Sequence, residues 1–146
     1  MRVPAGNYIV WDAPTSGHIT YVCQTIHTDG AKQRWKMSSA SASLGNQASG
    51  GPRGTYASPP ETWKSADGSQ VTGMEIAHVS SANDQLYDQL VLANPAIGPG
   101  ILTGVTYIQR LVISGGGLPT RPCTFSNLGS MEQVAFQANY VFWKPE

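Results

Sequence analysis

The chain has 146 residues, of which 12 % are charged, and its nine basic side chains balance nine acidic ones. This length suits a single β-rich domain over residues 1–146, and the even charge balance argues against nucleic acids and anionic membrane surfaces as partners. No apolar run approaches the ~20 residues that a membrane-spanning helix requires.

The composition is typical of extracellular proteins. Serine, threonine, glycine, asparagine and glutamine take the place of charged residues, as is typical of loop-rich β domains in secreted proteins. The first residues contain no apolar stretch of signal-peptide length. We therefore expect an extracellular protein whose signal peptide is absent from this chain, with a cytosolic protein as the alternative.

Alternation of apolar and polar residues dominates the first part of the chain. It predicts strands at Asn7–Ala13, His18–His27 and within Arg34–Leu44, with a turn at the Pro-Thr-Ser-Gly sequence of residues 14–17. The segment Gly45–Glu61 is dense in glycine, serine and proline. We expect it to be the longest exposed loop, with space for a short strand at Thr55–Ala57.

The second part of the chain continues this pattern. Asp67-Gly68 predicts the tight turn of a hairpin, because both residues tolerate positive φ angles. Residues 83–94 fit either a short helix or a buried strand, and residues 100–114 and 132–144 alternate as central strands. The sequence thus predicts an all-β fold, an antiparallel sandwich or barrel of about eight to ten strands with at most one short helix.

Two features of residues 105–117 bear on function. The glycine triplet at residues 115–117 is followed by prolines and no predicted helix, so it indicates a connection between strands and not a phosphate-binding loop. Gln109 and Arg110 fall on opposite faces of an apolar strand. We predict that Arg110 is buried with a hydrogen-bonding partner and has a structural role.

The cysteines and histidines give no metal or catalytic signature. Cys23 and Cys123 lie far apart, and neither has a second ligand at zinc-site spacing, so a disulfide is favoured over two buried free thiols. No histidine pair has ligand spacing, and no serine lies in a nucleophile elbow. We assign no catalytic residue, metal or cofactor.

Aromatic residues near the Gly/Pro-rich segment suggest a ligand site. Tyr56 and Trp63 flank its end, and Asp67 and Ser69 follow within a few residues. An exposed ring beside hydroxyl and carboxylate groups suits carbohydrates, which stack one apolar face and hydrogen-bond through their hydroxyls. The alternatives are that Trp63 packs in the core and that Asp67 only caps its turn.

Two motifs carry a resemblance that spans nearly the whole chain. The first consists of Trp63, Asp67, Gly68, Ser69, Val71 and Gly73, and the second of Leu102, Val105, Thr106, Ile108, Gln109 and Arg110. With them the chain resembles domain-of-unknown-function family 3455, small secreted proteins of fungi and bacteria. The resemblance implies secretion and paired cysteines.

The family gives no settled activity. Its members are often labelled malate dehydrogenase, but this chain lacks the dinucleotide-binding fingerprint that such an activity requires. Members usually carry His-Tyr where this chain has Thr55-Tyr56, so any chemistry of that histidine would be lost here.

These observations favour a secreted, non-enzymatic, lectin-like protein that binds glycans or cell-wall polysaccharide. A small secreted enzyme, or a metal or redox protein of unknown reaction, is one alternative. A structural protein of the cell surface is another.

Overall fold

Eight antiparallel strands close into a barrel in the computed structural model, which describes residues 1–27, 32–80 and 86–146. The strands are β1 (Asn7–Ile26), β2 (Lys32–Leu44), β3 (Gly54–Ser58), β4 (Thr62–Ser65), β5 (Gln70–Val79), β6 (Asp88–Ala93), β7 (Tyr107–Gly115) and β8 (Met131–Pro145). Each strand pairs with its neighbours in sequence, and β1 also pairs with β8. The all-β prediction is confirmed, and the barrel is the alternative that the chain adopts.

Some boundaries differ from the predicted ones. The turn predicted at residues 14–17 is wrong, because β1 continues through it with Pro14 paired to Asn139 of β8. A Cβ atom at Gly17 would lie 2.1 Å from the Ser41 carbonyl oxygen, so this glycine permits the close approach of β2 and not a chain reversal. The predicted long strand at residues 100–114 begins only at Tyr107.

Helical structure is scarce in the described part of the chain. A single-turn 3-10 helix covers Phe125–Asn127. Asp88–Ala93 forms a strand, so the helix alternative is wrong there, while residues 83–85 of that segment lie outside the described residues. None of the described helices is long and apolar enough to span a membrane.

The alternating strand directions give the barrel two ends. The upper end is the one where β1, β3, β5 and β7 finish, and the β3–β4 and β7–β8 connections lie there. The lower end holds both chain termini and the β2–β3, β4–β5 and β6–β7 connections.

Aromatic rings fill most of the interior. Trp11 and Phe142 stack with their centroids 5.0 Å apart, and the rings of Tyr56, Trp63 and Tyr140 lie 5.0 to 5.6 Å from one another. All five are at most 3 % exposed. An eight-stranded barrel is just wide enough to be filled by side chains or to hold one small ligand, so these rings determine where space remains.

The β6–β7 connection closes the lower end. Leu102 and Val105 fold under the barrel and are almost completely buried. The Leu102 N–H donates to Ser69 Oγ at 3.1 Å. The β2–β3 connection is attached at the same end, because Trp11 Nε1–H donates to the Gly45 carbonyl at 3.0 Å. This inward fold explains why β7 begins later than the alternation predicts.

The β7–β8 connection is fastened to the upper end. Cys23 of β1 is bonded to Cys123, with their Cα atoms 5.4 Å apart, which confirms the predicted disulfide. Gly116 adopts a φ of 79°, and a Cβ atom there would lie 2.6 Å from Leu86 Cβ. The triplet is a connection between strands, as predicted, and its carbonyl at Gly116 accepts from the Tyr21 hydroxyl at 2.7 Å.

The disulfide is expected to contribute strongly to stability. It closes a sequence separation of 100 residues, and such a crosslink reduces the conformational entropy of the unfolded chain. The double variant Cys23→Ser/Cys123→Ser should lose about 2–5 kcal/mol of unfolding free energy in urea titrations. A variant as stable as the wild type would contradict this, and thiol titration of the unfolded, unreduced wild type serves as the control.

Candidate functional site

The aromatic residues predicted to bind a ligand lie inside the barrel. Trp63 on β4 is 0 % exposed and Tyr56 on β3 is 3 % exposed, so the expectation of exposed stacking rings at these positions is wrong. The two residues are register partners whose ring centroids lie 5.4 Å apart. The burial pattern alternates along β3 and β4, and register partners share a face of the sheet, so Tyr56 and Trp63 both face inward.

Asp67 and Ser69 lie at the lower end of the barrel, in the β4–β5 turn. Gly68 between them has a φ of 101°, which confirms the predicted tight turn. The Asp67 carboxylate accepts hydrogen bonds from the Ser69 N–H, the Ser69 hydroxyl and the Ile101 N–H at 3.0, 2.7 and 2.7 Å. This network joins the turn to the β6–β7 connection. Asp67 therefore caps its turn, which was the alternative given for this residue.

The electrostatics of Asp67 follow from these bonds. The Ile101 N–H and the two Ser69 donors stabilise the ionised carboxylate and hold the pKa of Asp67 well below its usual range. Ser69 is 1 % exposed, and its hydroxyl both donates to Asp67 and accepts from Leu102. The polar groups of this turn are therefore occupied by one another.

A small cavity lies at the upper end of the barrel. Its volume is about 40 Å³, and it has a polar and an apolar side. The apolar side consists of Ile19, Ala40, Leu86 and Phe136, with Met37 nearby. The polar side consists of Tyr56, Glu61, Tyr87, Gln89 and Arg110. Of the four residues predicted to bind a ligand, Tyr56 is the one that lines this cavity.

Arg110 is the charged group of the cavity wall. It is 5 % exposed, its Nε–H donates to the Tyr87 carbonyl at 3.1 Å, and its guanidinium lies 5.2 Å from the Tyr87 ring centroid. The prediction of a buried, partnered Arg110 is confirmed. A guanidinium carries five N–H donors, so this bond leaves donors for the neighbouring side chains and for an occupant of the cavity.

Glu61 supplies the opposite charge. It lies in the β3–β4 connection, and one of its carboxylate oxygens accepts a hydrogen bond from the Tyr56 hydroxyl. Burial raises the pKa of Tyr56, and the nearby Tyr140 and Glu61 raise it further, so Tyr56 stays protonated and remains a donor. Burial likewise raises the pKa of Tyr140 to about 12.

Gln89 connects the cavity to a carboxylate on β5. It pairs with Arg110 across β6 and β7, and its Nε2–H donates to Glu75 Oε1 at 2.9 Å. An ionised carboxylate only accepts hydrogen bonds, so the amide nitrogen must face Glu75. The amide oxygen is buried and has no hydrogen-bond partner among the described residues.

Glu75 is held by several donors. Partial burial raises its pKa, but hydrogen bonds from Gln89, Tyr87 and His78 outweigh that effect, so the pKa of Glu75 lies below its usual value. His78 Nδ1 lies 3.2 Å from Glu75 Oε2, and the His78 and Tyr87 rings are 4.5 Å apart. The orientation of the Gln89 amide is thus fixed from the β5 side.

Two buried polar atoms near the cavity lack a partner in good hydrogen-bond geometry in the described structure: Gln89 Oε1 and the hydroxyl of Tyr140, which is 0 % exposed. The Tyr140 hydroxyl nevertheless lies close enough to Arg110 and Tyr56 to interact with both side chains. Leaving such a group unsatisfied costs about 1–3 kcal/mol. A cavity of this size and polarity would therefore accept either ordered water or a small group with hydrogen-bonding capacity.

Glu61 and Gln89 were not identified as site residues from the sequence. Glu61 belongs to the segment predicted to be a loop, and Gln89 to the segment that fitted either a helix or a strand. The buried arginine was the one available signal, because a charge inside an apolar strand requires polar neighbours. That signal indicates that a polar cluster exists but does not say which residues form it.

The comparisons with known proteins identify the family. A model of a protein family of unknown function, DUF3455, matches residues 4–144. The chain belongs to the DUF3455 family. No curated protein and no solved structure matches it. The resemblance seen in the sequence is confirmed, and membership of DUF3455 supplies no activity for the cavity.

The potential metal ligands are dispersed in the described part of the chain. Within residues 1–27, 32–80 and 86–146, no group of three or more His, Cys, Asp or Glu side chains is placed to hold a metal ion. The polar groups of the cavity are a guanidinium, a carboxylate, an amide and phenols. This set is suited to recognising hydroxyl groups, because it presents donors and acceptors side by side.

Trp63 is expected to act as a core residue of this DUF3455 protein. Its substitution by alanine would leave a large void between Tyr56 and Tyr140. We expect Trp63→Ala to lose about 3–5 kcal/mol of unfolding free energy, and Trp63→Phe to lose less because it keeps an aromatic ring. An alanine variant with an unchanged urea midpoint would show that this ring does not support the core.

Asp67 should make stability depend on pH in the acidic range. Its pKa is lower in the folded than in the unfolded state, so its stabilisation is complete above the unfolded value of about 3.9 and is lost as pH falls toward the folded value. Asp67→Asn should be less stable than the wild type at pH 7. The difference should shrink below about pH 4.

Urea unfolding of both proteins between pH 7 and pH 2 would measure this. A difference that stays constant across the series would mean that the carboxylate charge of Asp67 does not contribute. Asp88→Asn provides a control carboxylate, since Asp88 accepts a hydrogen bond from the Val112 N–H elsewhere in the barrel.

Proposed function

We propose that this DUF3455 protein is a non-enzymatic carbohydrate-binding protein that works outside the cell and binds its ligand at the upper end of the barrel. The observation that carries the proposal is the Gln89 amide oxygen, a buried acceptor in the wall of a cavity that has no partner among the described residues. Its environment provides the remaining contacts of a hydroxyl-binding site.

The arrangement of donors and acceptors supports a hydroxylated ligand. Arg110 offers N–H donors, whereas Glu61 and the Gln89 oxygen offer acceptors. A hydroxyl group both donates and accepts, so one or two hydroxyls can satisfy all three side chains. Hydrogen bonds to the charged pair are the stronger ones and would fix the orientation of the ligand.

The charge balance of the wall favours a neutral ligand. Arg110 and Glu61 carry opposite formal charges, and Glu75 adds a second carboxylate behind Gln89. An anion placed beside Arg110 would also lie near Glu61, and like charges repel strongly in a poorly solvated site. Carbohydrates without acidic groups meet these conditions and also occur widely outside cells.

The extracellular setting is supported by the disulfide. Disulfides persist in oxidising compartments and are rare in the cytosol of most organisms. The bond between Cys23 and Cys123 fastens the β7–β8 connection at the same end of the barrel as the cavity. We therefore place the binding function outside the cell.

A glycan array probed with three proteins tests the proposal. Gln89→Met removes the acceptor with little change in side-chain volume, and Gln137→Met makes the same change at an exposed site on β8. The wild type and Gln137→Met should bind the same glycans, and Gln89→Met should bind them about tenfold or more weakly. Absence of binding by the wild type, or equal binding by Gln89→Met, would overturn the proposal.

The enzyme alternative needs a separate measurement. The glycans bound by the wild type should be recovered with unchanged mass after prolonged incubation, since the proposed role involves no bond cleavage. Mass spectrometry of the recovered glycans would reveal hydrolysis or oxidation, and either product would replace the binding function with a catalytic one.

A further inference from the structure

The shape of the cavity restricts how a carbohydrate can enter it. Below the level of Arg110, the next inward residues of β7 and β8 are Ile108 and Phe142, both 0 % exposed. Trp63 and Tyr140 fill the space on the other side. The cavity is therefore closed toward the lower end, and its most exposed lining residue is Met37, which is 44 % exposed.

The volume of the cavity is too small for a sugar ring. One ordered water needs about 10–15 Å³ of such space, so a cavity of about 40 Å³ takes roughly three water-sized groups. A pyranose ring with its substituents has more than ten non-hydrogen atoms. Only a projecting part of a saccharide fits, with the ring itself remaining at the rim near Tyr87 and Met37.

The walls require this projecting part to be amphipathic. Ile19, Ala40 and Phe136 face it on one side and would be poorly matched by water alone. Arg110, Glu61 and the Gln89 oxygen face it on the other side and require a group that donates and accepts hydrogen bonds. A methylene carbon bearing one hydroxyl satisfies both walls.

We propose that the cavity binds the exocyclic hydroxymethyl group of a hexose unit, inserted with its C6 hydroxyl between Gln89 and Arg110. This inference rests on the proposed carbohydrate-binding function and specifies the part of the saccharide that is recognised. A hexose unit can present this group only if its O6 carries no glycosidic linkage. The ligands are therefore saccharides with a free C6 hydroxyl, and units linked through O6 are excluded.

A series of methyl glycosides tests the inference by isothermal titration. The methyl glycosides of glucose, galactose and mannose are compared with their 6-deoxy analogues, with the methyl pentosides that lack C6, and with the methyl glucuronide. At least one hexoside should bind. Its 6-deoxy analogue and its pentoside should bind about tenfold or more weakly, because the buried acceptor then loses its donor.

The glucuronide should also bind more weakly, since its carboxylate would face Glu61. A hexoside whose O6 carries a glycosidic linkage should likewise bind more weakly, because the substituted group no longer fits the cavity. Equal binding of such an O6-substituted hexoside would contradict the inference.

Two protein variants make the test specific to the cavity. In Gln89→Met the penalty for removing the 6-hydroxyl should largely disappear, whereas Gln137→Met should retain it. Thermal unfolding of each variant shows whether it is folded. If Gln89→Met does not fold, the glycoside series on the wild type still decides the outcome.

The possible failures can be told apart. No binding of any hexoside or glycan by the wild type would mean that the cavity holds ordered water, and it would overturn both proposals. Binding that is indifferent to the 6-hydroxyl would overturn this inference and leave the carbohydrate-binding function in place. In a third case, Gln89→Met binds the 6-deoxy analogues more weakly than the hexosides by the same factor as the wild type. The C6 group would then lie outside the cavity, which would contradict the inference.

Discussion

Closure of the sheet is the constraint on which the other features of this DUF3455 protein depend. Pairing of β1 with β8 completes the barrel and fixes the width of the interior through the number of strands. A fixed width means that the interior must be filled by side chains of matching size, or else contain a void. Trp11, Trp63, Tyr140 and Phe142 fill the lower and central parts, so the remaining space lies at the upper end.

Several predictions from the sequence rested on local chemistry and hold in the structure. The Asp67-Gly68 turn follows from backbone conformation, and the Cys23–Cys123 bond was favoured because no metal-site spacing surrounds either cysteine. Alternation located most strands for the same reason, since a strand in a barrel wall has one buried face. The turn and the strands depend on a few neighbouring residues and can be recognised without a fold, and the disulfide could be predicted because the chain has two cysteines and neither has metal-site neighbours.

The candidate site depends on contacts that no local pattern encodes. Glu61, Gln89 and Arg110 come from three separate parts of the chain and meet because β6 and β7 pair while the β3–β4 connection lies at the same end. The sequence also contains aromatic residues on both faces of its strands, so alternation alone did not show that Tyr56 and Trp63 face inward. Burial in a closed barrel depends on the registers of all eight strands together.

The two ends of the barrel hold different polar clusters. At the lower end the Asp67 carboxylate accepts hydrogen bonds from Ser69 and Ile101, and the Ser69 hydroxyl accepts from Leu102, so this network fastens the β4–β5 turn to the β6–β7 connection. A buried polar atom without a partner in the described structure occurs at both ends, Asp12 Oδ1 below and Gln89 Oε1 above, but only Gln89 lines the small cavity inside the barrel.

At the upper end a charged pair and an oriented amide surround a space that they do not fill, and the Gln89 oxygen has no partner in the described structure. Folding of the barrel would be more favourable if that position were apolar or fully paired, because an unsatisfied buried acceptor costs free energy. A hydroxyl group that enters the cavity and donates to the Gln89 oxygen offsets this cost. The polar group that destabilises the empty barrel is therefore the same group that favours binding. The stability of the upper end therefore depends on whether the cavity is occupied, since a ligand that binds only the folded state stabilises it.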